Sequence, residues 1–185
     1  MIDLALAFLR DELNSYLSEL YQLPDKVLLA APAPQGGAPL SDNVVFLTLV
    51  NIEPETTVRN LPANRLHNEE FQQLNPALNL NLKVLFATHF TDYTESLKFL
   101  ASTLAFFQGR SVFTAQNSPR LKQFERLVVE IETTSYQEWS FLSGMLGTKH
   151  TPGVVYKVRM VTIQDGNVQA RTSVVKSVGT GVNRR

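Results

Sequence analysis

The sequence predicts an α/β fold, a mixed β-sheet packed with helices, and three observations lead to it. Residues 78–86 alternate apolar and polar side chains with a period of two, which is typical of a strand. Segments before and after this strand place apolar side chains at steps of three and four, which is typical of helices. Asp165-Gly166 is a hairpin signal, and hairpins join antiparallel strands. Because helices alternate with strands while the hairpin must be antiparallel, we expect a mixed sheet.

The chain opens with an amphipathic helix. Its apolar side chains recur at steps of three and four, at Ile2, Leu6, Leu9, Leu13, Leu17 and Leu20. The helix is expected to end before Pro24, because proline has no backbone N–H to continue it. Residues 26–30 then predict a short edge strand, and the Pro- and Gly-rich residues 32–39 predict a loop.

Two regions with opposite patterns precede the central strand. Residues 44–52 carry apolar side chains on both faces, which predicts a strand in the middle of the sheet. Residues 53–77 contain three prolines among polar residues and are predicted to be irregular. A connection of that length inside a compact domain is usually functional or disordered, so this stretch is a candidate contact region.

The central strand and the helix after it form the predicted core. Five apolar side chains share one face of the strand, Leu78, Leu80, Leu82, Val84 and Phe86, and Leu85 and Ala87 make the other face apolar too. Asp92 and Glu95 have the spacing of a reciprocal helix cap. The helix is predicted to end at Gly109 in the left-handed conformation. Its predicted buried stripe is Tyr93, Leu97, Leu100, Leu104 and Phe107.

The next segment predicts a loop, a strand and a second capped helix. Residues 111–122 are expected to form the loop. Residues 127–132 are expected to form a strand with one face more exposed to solvent than the other. Ser135 and Glu138 predict a capping box, and Gly147 the end of the helix. Three side chains of this helix are expected to point inward, Trp139, Leu142 and Leu146.

The final strands are predicted to be a hairpin. Residues 154–163 form its first strand, and four side chains are expected to share one face of it, Val155, Lys157, Arg159 and Val161. Residues 167–178 form the returning strand, followed by a polar, basic tail.

The composition limits the class of protein. A chain of 185 residues with 44% hydrophobic side chains can form one full core, so we expect a single domain. The formal net charge is zero, which gives no support to general polyanion binding. The charge is uneven, because residues 151–185 hold six Lys and Arg against one Asp. This end either meets an acidic partner or is a solvated strand face and tail.

Three features of the sequence predict that the chain is located in the cytoplasm. The chain has no cysteine, which fits a reducing compartment. Asp3 precedes the first apolar positions without a basic region, unlike a signal peptide. No apolar run is long enough to span a membrane, so we expect a soluble protein with no membrane partner.

No group of residues predicts catalysis. His67, His89 and His150 lie far apart, and none has a second ligand at metal spacing. Ser143-Gly144 lacks the context of a nucleophile elbow. We therefore expect no enzyme, no metal and no cofactor. One alternative is a small α/β ligand-binding or enzymatic domain whose site combines His89, His150 and the long irregular stretch. Another is nucleic-acid binding through the C-terminal charges, although none is expected.

Four blocks of sequence carry a resemblance to a known family. They are residues 1–14, residues 49–53 with residues 58–60, residues 79–108 and residues 152–159. In order and spacing they resemble the N-terminal domain of the tail cap, or tail terminator, of extracellular contractile injection systems. The likeness extends to about Ile163, so residues 1–163 are expected to form the tail-cap domain and residues 164–185 a strand and tail continuous with it. Pro152-Gly153 departs from the Pro-Ser usual in the family.

The resemblance implies a structural role without a reaction. Family members form a hexameric ring that closes the inner tube and sheath at the end distal from the baseplate and limits tail length. The implied partners are sister copies, the contractile sheath protein, the inner tube protein and, since some members carry a further domain, a longer cap paralogue. The implied location is the cytoplasm during assembly and then a phage tail-like particle that is released or anchored at the envelope.

Three regions are the candidate contacts for such an assembly: the C-terminal strand, the irregular residues 53–77 and the Pro-rich loop of residues 32–39. A basic strand with a free edge can add to a neighbour's sheet, or it can simply close its own sheet. The candidate sheath or subunit interface is Val168, Gln169, Ala170, Arg171, Thr172, Ser173, Val174, Val175 and Lys176. Long loops on a rigid sheet usually carry function. The candidate ring or tube contacts there are Glu53, Glu55, Arg59, Asn60 and Arg65.

Overall fold

A computed structural model describes residues 1–30, 41–55, 63–67, 70–74, 78–121, 124–147, 151–163 and 168–173, with backbone alone at 63–67, 70–74, 160, 163 and 168–173. In chain order the elements are α1 (Ile2–Tyr21), β1 (Val27–Leu29), β2 (Val44–Pro54), β3 (Ala63–His67), β4 (Glu70–Leu74), β5 (Leu78–His89), α2 (Tyr93–Gly109), β6 (Val112–Thr114), β7 (Arg126–Ile131), α3 (Tyr136–Leu146), β8 (Gly153–Ile163) and β9 (Val168–Ser173).

Six of the strands form a mixed sheet in the order β1-β2-β5-β8-β7-β6. β1 runs parallel to β2, with Val27 beside Val45, and every other neighbouring pair in this sheet is antiparallel. The predicted edge position of β1 and central positions of β2 and β5 are confirmed. The predicted fold class, a mixed sheet packed with helices, is confirmed as well.

α1 and α2 cover one face of this sheet, which we call the inner face. Leu82, Val84 and Phe86 of β5 are fully buried there. The Phe86 ring centroid lies 5.1 Å from that of Phe107 on α2 and 5.7 Å from that of Tyr156 on β8. Burying a side chain of this size contributes about 1.5–3 kcal/mol. The inner face therefore supplies the main apolar packing of the fold.

A buried asparagine ties the edge strand β1 to α1. Asn14 Oδ1 accepts hydrogen bonds from the backbone N–H of Val27 at 2.7 Å and of Lys26 at 2.9 Å. Its Nδ2 donates to the Val27 carbonyl oxygen at 3.2 Å. Asn14 thus does for β1 what a further neighbouring strand would do, and it sets the position of the sheet edge relative to the helix layer.

α3 lies on the opposite face, which we call the outer face. Trp139, Leu142 and Leu146 pack there against a small cluster, Val44, Phe46, Leu85, Ala87 and Val155, so their predicted inward orientation is confirmed. Gly153 leaves room for this contact, since a Cβ at that position would lie 2.8 Å from the Phe86 carbonyl oxygen and 3.2 Å from the Trp139 ring. The departure from Pro-Ser at Pro152-Gly153 therefore fits the close approach of α3 to β8.

The buried stripe of α2 differs from the prediction. The buried side chains are Ser96, Phe99, Thr103, Phe106 and Phe107. Of the predicted stripe, Tyr93 and Leu97 are exposed, Leu100 and Leu104 are half-buried, and only Phe107 is fully buried. Two apolar stripes run along this helix, and the one with three phenylalanines faces the sheet because it buries the larger apolar area.

The ends of α2 follow the prediction only in part. The Asp92 cap is confirmed, since its Oδ1 accepts a hydrogen bond from Thr94 N at 2.8 Å. Glu95 pairs with Lys98 on the next turn, and the structure records no bond from Glu95 back to the cap. Gly109 is the last helical residue rather than a left-handed cap, and its φ is not positive.

The ends of α3 are as predicted. The Ser135–Glu138 capping box is complete, with Glu138 N donating to Ser135 Oγ at 3.2 Å and Ser135 N donating to Glu138 Oε2 at 2.7 Å. Gly147 ends the helix at a φ of +63°, a backbone conformation that favours glycine.

Two stretches predicted to be irregular contain strands. β3 and β4 lie within residues 53–77, and β6 lies within residues 111–122. The prediction was wrong because all three strands are short, and β3 and β4 are also mostly polar and lack the alternation that marks a half-buried strand. β3 and β4 pair with one another in antiparallel fashion, in a sheet separate from the six-stranded one.

The last strand has a different partner from the one the hairpin signal predicted. β9 pairs antiparallel with β4, with Arg171 beside Gln72, in a three-stranded sheet of order β3-β4-β9. It therefore does not return along β8. Asp165-Gly166 and residues 174–178 lie outside the described residues. An Asp-Gly dipeptide predicts a local turn, but it does not predict which strand the following strand will pair with.

A bulge in β8 changes which side chains share a face. Leu80 pairs with Val161 while Leu82 pairs with Val158, so β8 has one residue more than β5 between these pairs. Val155 lies on the outer face with Lys157 and Arg159, whereas Val161 packs into the inner core. The predicted common face of these four side chains is therefore wrong at Val161.

Candidate functional site

The predicted interface strand lies at one end of the three-stranded sheet. Six of its nine residues, Val168–Ser173, form β9, and Val174, Val175 and Lys176 lie outside the described residues. Successive N–H groups of a strand point to opposite sides, so β9 uses every second one for β4. As the end strand of the described sheet, β9 presents its remaining N–H and C=O groups along the other edge.

Three of the five predicted ring or tube contacts lie among the described residues, on two separate segments. Glu53 lies in β2, Glu55 directly follows β2, and Arg65 lies in β3 opposite Gln72. Arg59 and Asn60 lie outside the described residues. Glu55 is nearly buried and forms an ion pair with Arg159 at 3.1 Å, so its carboxylate is engaged within the chain.

Charged side chains form a row across the outer face, which we call the charge row. Lys83 Nζ lies 3.1 Å from both Glu53 and Glu132, and Arg159 lies between Glu55 and Glu130. Hydrogen bonds raise the pKa of the Lys83 ammonium, with the bond to Glu132 as the largest cause and the bond to Glu53 as the next. The Lys83 ammonium therefore stays charged, and both cations join carboxylates from segments on either side of them, which suits a structural role better than proton transfer.

An apolar groove borders the charge row and was not predicted. It has a volume of about 420 Å³ between α3 and the sheet, and its lining includes Val50, Lys83, Glu132, Phe141 and Met145. The side chains of Phe141 and Met145 are 75% and 74% exposed. The signal in the sequence is a short helix with apolar residues on nearly all sides, because Phe141 and Met145 lie one turn apart on the side away from Trp139.

A second open groove lies between the end of α2 and the sheet. It measures about 550 Å³, and Leu104, Phe107, Val129 and Tyr156 are among its lining residues. Burial raises the pKa of the Tyr156 phenol to about 12. Tyr156 therefore remains a neutral core side chain at physiological pH and does not act as a base there.

The histidines do not converge in the part of the chain that is described. His89 Nε2 lies 3.1 Å from Asp42 Oδ1 in a largely exposed pair, the side chain of His67 is not described, and His150 lies outside the described residues. Within the described ranges no three His, Asp or Glu side chains gather as a metal site would require. Among the same residues, none of the helices has the length and apolar character needed to cross a membrane.

Comparison with known proteins supports the resemblance. The sequence matches the family described as the Pvc16 N-terminal domain over residues 5–177. No curated protein matches it.

Two solved structures have a similar fold. One is the sheath/tube terminator of an extracellular contractile injection system, PVC, in the extended state, with a TM-score of 0.64 and 12% identity over 95% of this chain. The other is the tube-terminating cap of the anti-feeding prophage, with a TM-score of 0.67 and 14% identity over 98% of this chain. The chain covers 63% and 61% of those two proteins, so it is similar to about three fifths of each.

Proposed function

The chain belongs to the Pvc16 N-terminal domain family, and we propose that it is a structural cap, or tail terminator, of a contractile injection system. The observation that carries this proposal is the family match across residues 5–177, which includes every described element apart from the first three residues of α1. The similar fold of two terminator caps supports it. The cap closes sheath and inner tube at the end distal from the baseplate and limits tail length without catalysing a reaction.

The proposed cap acts as a ring of sister copies, a homo-hexamer, that contacts the contractile sheath protein and the inner tube protein. A longer cap paralogue is a further partner. The charge row supports a static role, since both of its central cations are shared between carboxylates of the same chain. Assembly takes place in the cytoplasm, and the chain then remains in the particle.

The proposed sheath contact is the strand formed by Val168–Ser173 and its continuation through Val174, Val175 and Lys176. A sheath strand that pairs with the outer edge of β9 would gain main-chain hydrogen bonds, and alternate side chains would set its register. The end position of β9 supports this. The proposed ring or tube contacts are Glu53, Arg59, Asn60 and Arg65, with Glu55 holding Arg159 nearby.

Particles made without this chain test the cap role. We expect open distal ends and a broad distribution of tail lengths by negative-stain electron microscopy, and uniform tails when the chain is restored. An unchanged length distribution with closed ends would contradict the proposal.

Proline substitutions at two adjacent positions test the sheath contact. The backbone N–H groups of Arg171 and Thr172 point to opposite sides of β9. Of Arg171→Pro and Thr172→Pro, one therefore removes the N–H that faces β4, and the other removes the N–H that faces the outer edge. We expect the inward substitution to lower the melting temperature. The outward one should keep the melting temperature and lose sheath binding in a pull-down. If both variants keep full sheath binding, the edge of β9 is not the contact.

A further inference from the structure

The groove beside α3 has the composition of a binding surface. Phe141 and Met145 expose large apolar side chains along one side of it, and Val50 and Val155 line the other side. Monomeric proteins usually expose large apolar side chains singly rather than as a lined groove. The groove is therefore better explained by an occupant than by chance.

The surface around the groove is acidic. Its lining holds two carboxylates, Glu132 and Glu138, against one cation, Lys83. These lining residues have a formal charge of −1. The occupant should therefore combine small apolar side chains with an excess of positive charge.

The chain contains a segment with this composition. Residues 174–185 hold four valines and three cations, Lys176, Arg184 and Arg185, with no acidic residue. The segment follows directly on β9. Twelve residues span up to about 40 Å when extended. This is comparable to the width of a domain of about this size, whose radius of gyration is about 16 Å.

We propose that in the free chain residues 174–185 dock into the groove of the same copy. Valine side chains fill the space beside Phe141 and Met145, and the cations face Glu132 and Glu138. Attachment to the same chain favours this contact over one between copies, because a tethered segment has an effective concentration in the millimolar range. The proposal concerns the chain before assembly and does not depend on the cap role. Lys176 cannot hold this groove and a sheath strand at once, so the two contacts exclude each other.

Zero-length carbodiimide cross-linking tests the contact directly. Lys176 is the only lysine of the segment, so we expect mass spectrometry to find it joined to Glu132 or Glu138, with at least a threefold loss of this product in 0.5 M NaCl. In a mixture of ¹⁴N- and ¹⁵N-labelled chains, the linked peptides should carry one isotope. Mixed-isotope links would assign the segment to a sister copy and overturn the proposal, as would links to other carboxylates only.

Hydrogen exchange in a shortened chain gives a second readout. A chain that ends at Ser173 should exchange the amides of α3 at least threefold faster than the full chain, and the fluorescence of Trp139, the single tryptophan, should change. Exchange in α2 is the control and should be the same in both. Glu138→Gln, which can still cap Ser135, combined with Glu132→Gln should give part of the effect. If α3 exchange is unchanged on truncation, the proposal is wrong.

Discussion

The two faces of the six-stranded sheet differ in how deeply their side chains are buried. On the inner face, phenylalanines and leucines of α1, α2 and β5 are fully buried. On the outer face, α3 has no fully buried residue and covers only a small apolar cluster around Phe46 and Leu85, and the charge row lies beside it. The inner face therefore supplies most of the packing, and the outer face presents more exposed side chains. The following predictions test this division, in order of expected effect.

The largest difference is expected between two aromatic truncations. Phe107→Ala leaves a cavity against Phe86 and Tyr156 and should lower the free energy of unfolding by about 3–5 kcal/mol. Tyr136→Ala on the outer face, where the side chain is 96% exposed, should cost less than about 0.5 kcal/mol. Urea denaturation followed by circular dichroism measures both. Equal losses would contradict the division between the faces.

Asn14→Ala should have the next largest effect. It leaves the N–H groups of Lys26 and Val27 without the Asn14 oxygen in a largely buried site, at a cost of about 2–3 kcal/mol. Ser15→Ala, one position along α1 and exposed, is the matched control. Chemical denaturation should separate the two variants clearly. If Asn14→Ala is as stable as the control, β1 does not depend on this side chain.

Alkaline pH should destabilise the inner face through Tyr156. Its pKa is raised to about 12 in the folded chain, so the unfolded chain loses this proton first, from about pH 10. The contribution of Tyr156 to the free energy of unfolding is therefore fully present below pH 10. It declines between pH 10 and 12, by about 1–2 kcal/mol. Tyr156→Phe should flatten the decline in melting temperature over this range, and Tyr136→Phe should not. An identical decline in both variants would rule out this origin.

The smallest effect is expected at the start of α3. Ser135→Ala removes one side of the capping box and should cost about 1 kcal/mol. Because α3 has no fully buried residue, the loss should appear mainly as faster amide exchange within this helix. Ser135→Asp, which can still cap, should restore the wild-type exchange. Faster exchange throughout the inner face would indicate that α3 is part of the main core after all.

The sequence was most informative where pattern and packing agree. The alternation in β5 predicts its buried inner side chains, and Leu85 and Ala87 predict that the outer face is covered as well. The Ser135–Glu138 cap is set by backbone groups within one turn, so local spacing was sufficient to find it.

Predictions failed where the outcome depends on distant partners. α2 carries two apolar stripes, and its packing on α1, where Phe99 contacts Tyr21 and Phe106 contacts Tyr16, helps to select the buried one. β9 pairs with β4 across about a hundred residues of chain, which a turn signal at Asp165-Gly166 could not indicate. The groove beside Phe141 and Met145 is not predictable from local pattern, because it is formed by α3 together with three strands.

The position of the chain in assembled particles tests the cap proposal most directly. A gold-labelled tag on the N-terminus, followed by electron microscopy of whole particles, locates every copy. The proposal predicts label at one end only, opposite the baseplate, in nearly all particles. Label along the shaft, label at the baseplate end, or unlabelled particles with normal closed ends would contradict it.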